Sequence, residues 1–219
     1  MTVHLDKVRY STRKNDDMDH IWNPMSVRDA REHFAASEVD WWVAGGYAID
    51  LFLGWESRTH SDLDLEMFRS DAASIFDNFG GWDIHTASDG ELRPWTNPDN
   101  LDENIFGLWL RPSPGDSWQV EILLADGDRS EWSFRRDPSI VMAGDRLVRQ
   151  TFDGIPYCTP EVQLLYKSKQ ARQKDDLDLA RCLHLMSTEQ RSWLRDAVER
   201  TNPQHPWVPL LGGTLEPAT

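Results

Sequence analysis

One short segment constrains what this chain can fold into more than any other. It begins with Gly45-Gly46 and ends with residues 62–68, in which polar and apolar residues alternate. Alternation with a period of two is typical of a β-strand that has one buried face. Residues 41–44 predict another short, buried strand before the glycines, and residues 47–53 predict a brief helix after them. Residues 41–68 together therefore predict a strand, a glycine turn, a helix and a second strand of an α/β domain.

The residue types of this segment suit a metal ion and a phosphate. Side chains two positions apart in a strand lie on one face, about 6–7 Å from each other, so we expect Asp62 and Asp64 to aim their carboxylates at one place. Two Mg²⁺ ions about 3.5–4 Å apart would fit between them and would clamp the attacking and leaving oxygens of a displacement at phosphorus. The Gly45-Gly46 step lets the backbone approach a phosphate, with N–H groups of the following helix directed at the anion.

Three basic side chains are further candidates for the phosphates. Arg58 and His60 lie between the predicted helix and strand, and we expect them to add hydrogen bonds to a triphosphate. Lys167 lies on a later predicted helix and could also reach phosphate, although a lysine on a helix usually faces solvent. Asp50 is expected to fix the helix or the Arg58 loop rather than to touch metal.

A third carboxylate comes from the apolar strand predicted at residues 118–124, in which Glu121 is the lone charge. A buried carboxylate is costly without a partner, and a metal held by Asp62 and Asp64 would be such a partner. Glu121 would then ligate the metal, accept the proton of an incoming hydroxyl, or do both. Trp55, Trp95 and Trp109 could line a pocket that stacks a base or a sugar, although most tryptophans lie in the core.

The rest of the sequence predicts two lobes after a loose lead-in at residues 1–25. Residues 26–150 are expected to form a mixed, twisted sheet flanked by helices, an α/β (α+β) arrangement. Residues 151–219 are expected to form a small helical domain that closes an acceptor cleft. The expected helices follow Ser26 and lie at 71–79, 160–171, 175–186 and 188–200, and the other expected strands lie at 82–85, 106–111, 146–149 and 155–158.

Composition narrows the class of partner. The chain of 219 residues has 23 Lys and Arg against 37 Asp and Glu, a net charge of −14 that disfavours a nucleic-acid backbone and favours cationic or neutral partners. The acidity could also serve solubility alone. We expect no membrane segment, because no apolar run approaches about 18 residues. The charged N-terminus and two reduced thiols, Cys158 and Cys182, favour a cytoplasmic protein.

The order Gly-Gly, short helix, Arg-x-His-x-Asp-x-Asp and later acidic strand resembles the nucleotidyltransferase superfamily of polymerase-β-like fold, and most of all its aminoglycoside and lincosamide adenylyltransferases. Residues 155–157 and 160–167 resemble the helical half of those proteins, so the resemblance covers about residues 40–180. It implies that Asp62 and Asp64 are the metal-binding pair, that Gly45 and Gly46 form the phosphate-binding turn, and that Glu121 is the third carboxylate. Family members often carry Asp at that third position.

The predicted activity is therefore Mg²⁺-dependent transfer of a nucleoside monophosphate from an NTP, with ATP favoured, to a hydroxyl of a small acceptor. An aminoglycoside or lincosamide is the acceptor that the resemblance suggests. Two alternatives are a protein-modifying nucleotidyltransferase of the toxin–antitoxin type and a non-catalytic nucleotide-binding module. The larger helical half argues against the first, and three carboxylates that repel one another without metal argue against the second. The sequence leaves the acceptor, the NTP and the oligomeric state open.

Overall fold

The computed structural model describes residues 21–213. In this part of the chain, a mixed sheet of ten strands forms the centre of the molecule. The strands are β1 (Trp41–Val43), β2 (Asp64–Phe68), β3 (Asp83–Ser88), β4 (Glu91–Pro94), β5 (Gly107–Arg111), β6 (Val120–Gly127), β7 (Glu131–Phe134), β8 (Asp137–Ala143), β9 (Val148–Gln150) and β10 (Pro156–Cys158). The helices are α1 (Val27–His33), α2 (Gly45–Leu53), α3 (Ile75–Asn78), α4 (Gly144–Leu147), α5 (Pro160–Ser168), α6 (Gln173–Leu183), α7 (Thr188–Thr201) and α8 (Trp207–Gly212).

The order of the strands places the predicted carboxylates side by side. Eight strands follow the order β4-β3-β5-β6-β2-β1-β10-β9, and the β7–β8 hairpin continues from β6. β2 is parallel to β6, antiparallel to β1, and separated by β1 from β10. In the β2–β6 register, Asp64 lies opposite Glu121. The mixed sheet with helices against it confirms the predicted fold class.

The later helices pack around α2 and contribute to the core. α2 packs against α5 and α6, α5 also packs against α7, and α7 packs against α8. The predicted caps are present: Ser26 Oγ accepts the N–H of Asp29 at 3.1 Å, and Ser187 and Gln190 form a capping box. The core is one cluster of buried apolar side chains that extends from α1 to α8.

The predicted strand at residues 62–68 begins later than expected. β2 starts at Asp64, and Asp62 lies in the loop before it. The chain joins the sheet only at Leu63, whose carbonyl oxygen accepts the N–H of Glu121 at 2.9 Å. The prediction that Asp62 and Asp64 lie two positions apart in one strand is therefore wrong, although both residues lie at the same end of β2.

Other differences concern short or exposed elements. The helix expected at residues 71–79 is a 3-10 helix, Arg69–Ser74, followed by the single turn α3. The strand expected at residues 146–149 begins at Val148, because α4 continues to Leu147 and buries that side chain. The sequence does not predict β4, which is an exposed edge strand, or the β7–β8 hairpin, whose two strands alternate between buried and exposed positions.

The structure describes only part of the predicted lead-in at residues 1–25, and it also includes the predicted domain boundary at residue 150. Residues 1–20 of the lead-in lie outside the described residues. Residues 21–25 run beside 118–119, where Trp118 donates its N–H to Ile21 and accepts the N–H of Asn23, both at 2.9 Å. Structure therefore begins before residue 26. The sheet also continues past residue 150, since β10 pairs with β1, and the division into two domains stays a prediction.

None of the helices between residues 21 and 213 combines the length and the apolar character that crossing a bilayer demands.

Candidate active site

The glycine turn at the start of α2 is packed against three of the predicted site residues. Gly45 has a φ of +62°, a left-handed conformation that favours glycine. A Cβ atom at Gly45 would collide with the carboxylate of Asp64, and one at Gly46 would collide with the His60 ring and the Arg58 guanidinium. The two glycines therefore allow Asp64, Arg58 and His60 to close around one short stretch of backbone.

The turn is also tied to the helical half of the chain. The N–H of Gly45 donates to Oε1 of Gln163 at 2.7 Å, so this amide is not directed at a phosphate as the sequence analysis expects. No side chain caps α2, because Ala44 occupies the N-cap position. The following amides of Gly46 and Tyr47 thus remain the backbone donors at this helix N-terminus. Gln163 was not predicted, but it is the one polar residue in the buried stretch 162–165 of α5.

The loop between α2 and β2 is fixed by Asp50. Oδ1 of Asp50 accepts the N–H of Ser57 at 3.0 Å and its hydroxyl at 2.6 Å. Oδ2 of Asp50 lies 2.5 Å from Nε2 of His60, whose ring also contacts Tyr47 at a centroid distance of 4.4 Å. Asp50 thus holds the loop, as the sequence analysis expects, and it turns Nδ1 of His60 toward Gly46.

Two carboxylates on adjacent strands form the most strongly perturbed pair of the site. Burial, and after it the charge of Asp62, raise the pKa of Asp64 to about 7, although the positive charges of Lys167, Lys174 and Arg58 act to lower it. Burial and the charge of Asp64 raise the pKa of Glu121 to about 8, and a hydrogen bond with Trp109 offsets part of this effect. The charge of Asp62 raises the pKa of both Asp64 and Glu121, so the three predicted carboxylates interact electrostatically.

The predicted donors that would hold a metal ion at this site are the carboxylates of Asp62, Asp64 and Glu121. Within residues 21–213, the structure contains no group of three or more His, Cys, Asp or Glu side chains that could hold a metal ion. The predicted site of Asp62, Asp64 and Glu121 therefore stays a prediction. The donor chemistry fits, since carboxylate oxygens are the ligands that Mg²⁺ prefers. The raised pKa values fit as well, because a divalent cation would offset the repulsion that disfavours the ionised forms.

Two of the predicted phosphate ligands are held by carboxylates of α6. Nε and Nη2 of Arg58 donate to Asp178, both at 3.4 Å. Nζ of Lys167 lies 3.0 Å from Asp178 and 3.3 Å from Asp175. Lys167 is only 11% exposed at its side chain, so it does not face solvent as a helix lysine usually does, and its role at the phosphates stays a prediction.

A cleft of ≈580 Å³ opens beside Gly45 and Asp64. Its apolar walls come from Phe106, Leu123, Leu124 and Tyr166. The charged residues of its lining are Arg135, Arg136, Lys167, Lys169, Arg172, Asp64, Glu66 and Asp175. Two other cavities, of ≈520 and ≈650 Å³, contain none of the predicted site residues. Of these three cavities, the first cleft is therefore the one that reaches Asp64.

Glu66 is a cleft residue that the sequence analysis did not choose. It lies two positions after Asp64 on β2 and is 3% exposed. Nε1 of Trp42 donates to Oε2 of Glu66 at 2.8 Å, and burial raises the pKa of Glu66 to about 7. The alternation of residues 64–68 could have predicted Glu66 as a site residue, because a side chain two positions from Asp64 lies on the same face of the sheet.

Trp109 is the one of the three candidate tryptophans that lies at the carboxylates. It is the cross-strand partner of Glu121 in the β5–β6 pair, and both line a cavity of ≈220 Å³ under the β3–β4 hairpin. Trp95 is buried against Phe76, and Trp55 is exposed. Of the three, only Trp109 is placed to contact a molecule that approaches Glu121.

Comparison with known proteins supports the resemblance from which the site was predicted. A family model described as aminoglycoside-2''-adenylyltransferase matches residues 26–91. This stretch contains the glycine turn, the Arg58 loop, Asp62 and Asp64. A search of curated proteins gave no match.

Solved structures extend the similarity over most of the chain. The lincomycin-bound crystal structure of the lincosamide antibiotic adenylyltransferase LnuA matches with a TM-score of 0.51 at 18% identity, over 73% of this chain and 97% of LnuA. ANT(2'')-Ia in complex with adenylyl-2''-tobramycin matches with a TM-score of 0.50 at 14% identity, over 80% of this chain and 96% of the other. The solution structure of the antibiotic-resistance factor ANT(2'')-Ia matches with a TM-score of 0.54 at 15% identity, over 81% and 91% of the two chains.

These similarities confirm the predicted resemblance to the aminoglycoside and lincosamide adenylyltransferase branch. They also support the prediction that the chain is an enzyme that transfers nucleotidyl groups. The chain has the fold of the nucleotidyltransferases and, over residues 26–91, the sequence pattern of the aminoglycoside-2''-adenylyltransferase family.

Proposed function

We propose that this protein transfers a nucleoside monophosphate from an NTP, with ATP favoured, to a hydroxyl of a small acceptor in a Mg²⁺-dependent reaction. The observation that carries the proposal is the placement of Asp64 opposite Glu121 on parallel strands, with the Gly45-Gly46 turn packed against Asp64. Anionic carboxylates beside a helix N-terminus suit a bound cation and a phosphate at adjoining places.

The carboxylates would hold the metal. Asp62, Asp64 and Glu121 are the proposed ligands of two Mg²⁺ ions, which when bound supply charge stabilisation to the attacking and leaving oxygens. Glu121 is also the proposed acceptor of the proton of the incoming hydroxyl. Its raised pKa, about 8, places proton uptake near neutral pH.

The triphosphate would lie across the glycine turn. Gly45 and Gly46 let the backbone approach it, and the amides of Gly46 and Tyr47 face it at the start of α2. Arg58, which packs against Gly46, and Lys167, which lines the cleft beside Gly45, supply positive charge. His60, fixed by Asp50, also lies against Gly46. These groups orient the phosphates for displacement, with pyrophosphate as the leaving group.

The proposed acceptor class is an aminoglycoside or lincosamide antibiotic. The support is the matching family model and the structures of LnuA with lincomycin and ANT(2'')-Ia with adenylyl-2''-tobramycin. The charge argument for a polycation is weaker than the sequence suggests. Five basic and three acidic side chains line the cleft, so the net charge of −14 is not concentrated there. The acidity does support a small-molecule acceptor over a nucleic acid in a cytoplasmic protein.

Incubation with α-labelled NTPs, Mg²⁺ and a panel that contains tobramycin, lincomycin and cell metabolites tests the proposal. We expect label to enter one acceptor, with ATP the preferred donor, and Asp64→Asn to abolish the transfer. If only metabolites are labelled, the antibiotic assignment falls and the reaction class stands. If no acceptor is labelled and host cells that express the protein keep their antibiotic susceptibility, the proposed function is wrong.

A further inference from the structure

Asp178 of α6 lies at the meeting point of three separate elements. Its side chain is 1% exposed. It accepts hydrogen bonds from Arg58 of the α2–β2 loop and lies 3.0 Å from Nζ of Lys167 of α5. A third cation, Arg181 of α6 itself, lies 3.7 Å away. One buried carboxylate thus has three positive partners.

The two cations from other elements both face the glycine turn. Nη2 of Arg58 lies 2.6 Å from the position that a Cβ of Gly46 would occupy. Lys167 lines the same cleft as Gly45 and Asp64. Arg58 and Lys167 are 20% and 11% exposed at their side chains, against 1% for Asp178. The carboxylate is therefore more deeply buried than the two cations, of which Arg58 packs against Gly46 and Lys167 lines the cleft.

Neutralisation of a buried charge does not require this arrangement. A buried carboxylate needs a partner, and Arg181 on the next turn of α6 could supply one locally. Asp178 instead draws in two long side chains from distant parts of the chain. Such side chains lose rotamer freedom when they bind a phosphate, and a carboxylate that already holds them removes much of that cost from the binding step.

We propose that Asp178 is a positioning residue of the triphosphate site, which holds Arg58 and Lys167 in place at the glycine turn. The inference rests on the proposed function, because the ligand of the two cations is taken to be the triphosphate of an NTP. Arg58 and Lys167 each retain N–H donors that are not used by Asp178, and these donors bind the phosphate oxygens.

Positioning and simple electrostatics predict opposite results when the charge is removed. Asp178 is an anion close to the phosphate site, so its Coulomb effect alone opposes nucleotide binding. If that effect dominates, Asp178→Asn binds Mg-ATP more tightly than the wild type. If positioning dominates, the two cations separate in the variant and Mg-ATP binds more weakly.

Calorimetric titration of Mg-ATP into the wild type, Asp178→Asn and Asp176→Asn decides between them. Asp176 is a matched control, because it lies on the same helix, loses the same charge, and contacts Trp207 rather than the two cations. We expect Asp178→Asn to lower the affinity about 10- to 100-fold, the effect of a lost hydrogen bond to a charged group. We expect Asp176→Asn to stay within about twofold of the wild type. Unchanged or tighter binding by Asp178→Asn overturns the inference.

Three further variants, Asp178→Glu, Arg58→Ala and the double variant of Arg58→Ala with Asp178→Asn, test the positioning role in other ways. Asp178→Glu keeps the charge but moves the carboxylate by one methylene, and we expect it also to weaken Mg-ATP binding; wild-type affinity in this variant contradicts the inference. The losses of Arg58→Ala and Asp178→Asn should be less than additive in the double variant, because both act through one guanidinium. Additive losses count against the inference. A wild type that does not bind Mg-ATP would instead refute the proposed function itself.

Discussion

Asp64 and Glu121 are held where their ionised forms are unfavourable. Both are partly buried, and they face each other across the β2–β6 pair. The pKa of each is raised, to about 7 for Asp64 and about 8 for Glu121, because burial and a neighbouring negative charge, that of Asp62 for Asp64 and that of Asp64 for Glu121, disfavour the ionised form. Glu66, two residues along β2, is raised to about 7 for the same reasons. Without metal, the site therefore takes up protons at pH values where ordinary carboxyl groups are ionised.

These shifts predict that the metal-free protein loses stability as the pH rises from about 5 to about 8.5. In the unfolded chain the three carboxyl groups lose their protons near pH 4, whereas the folded protein keeps them to pH 7–8. Because the folded state binds more protons in this window, stability is highest below it and falls through it, by a few kcal/mol in all. Urea unfolding in EDTA at several pH values measures the effect.

Glu121→Gln is the control for that profile. Its amide does not titrate, so the decline in the free energy of unfolding between pH 5 and pH 8.5 should be shallower than in the wild type. A wild-type stability that stays flat or increases over this window would show that the three carboxyl groups are not perturbed as described.

At the scale of elements, the turn between β1 and α2 depends on the absence of a side chain at Gly45. Gly45→Ala combines a positive φ with a collision against the Asp64 carboxylate. Gly54 at the end of α2 also has a positive φ, of +80°, but a Cβ there would meet nothing within 4 Å. Gly54→Ala therefore carries the backbone strain without the collision and is the matched control.

We expect Gly45→Ala to lower the free energy of unfolding by more than the ~1–3 kcal/mol that backbone strain alone can cost. We also expect it to abolish Mg-ATP binding, because Asp64 is displaced, whereas Gly54→Ala should bind Mg-ATP normally. Chemical denaturation and calorimetry measure the two quantities. Equal behaviour of the two variants would mean that contact between Gly45 and Asp64 is not needed.

The elements that build this turn were predictable because their signals are local. The apolar run before Gly45-Gly46 and the alternation after Asp62 predict β1 and β2, and Ser187 with Gln190 predicts the start of α7. The exact start of β2 was not predictable, because Asp50 holds the preceding loop through side-chain hydrogen bonds that leave no periodic pattern. The polar edge strand β4 lacks the apolar alternation by which strands are recognised.

Residues that act across elements were the hardest to predict. Gln163 and Asp178 each lie on a helix with ordinary periodicity, and their partners Gly45 and Arg58 are more than 100 residues away in the sequence. Only the packing of α5 and α6 against α2 makes these contacts.

For the whole molecule, the sheet and the helical half meet at the same place from opposite sides. Asp64 and Glu121 come from the sheet, and Gln163, Lys167 and Asp178 come from the helices that pack on α2. The similarity to LnuA and ANT(2'')-Ia covers 73% and 80% of the chain. The proposed nucleotide site therefore combines residues of the sheet and of the helices.

The position of the label transferred from ATP tests the central claim most directly. The acceptor identified in the NTP screen is incubated with wild-type protein, Mg²⁺ and ATP labelled in either the α- or the γ-phosphate. The account predicts that α-label enters the product, that γ-label leaves as pyrophosphate, and that Asp64→Asn does neither. Transfer of γ-label to the acceptor, or full transfer by Asp64→Asn, would contradict it.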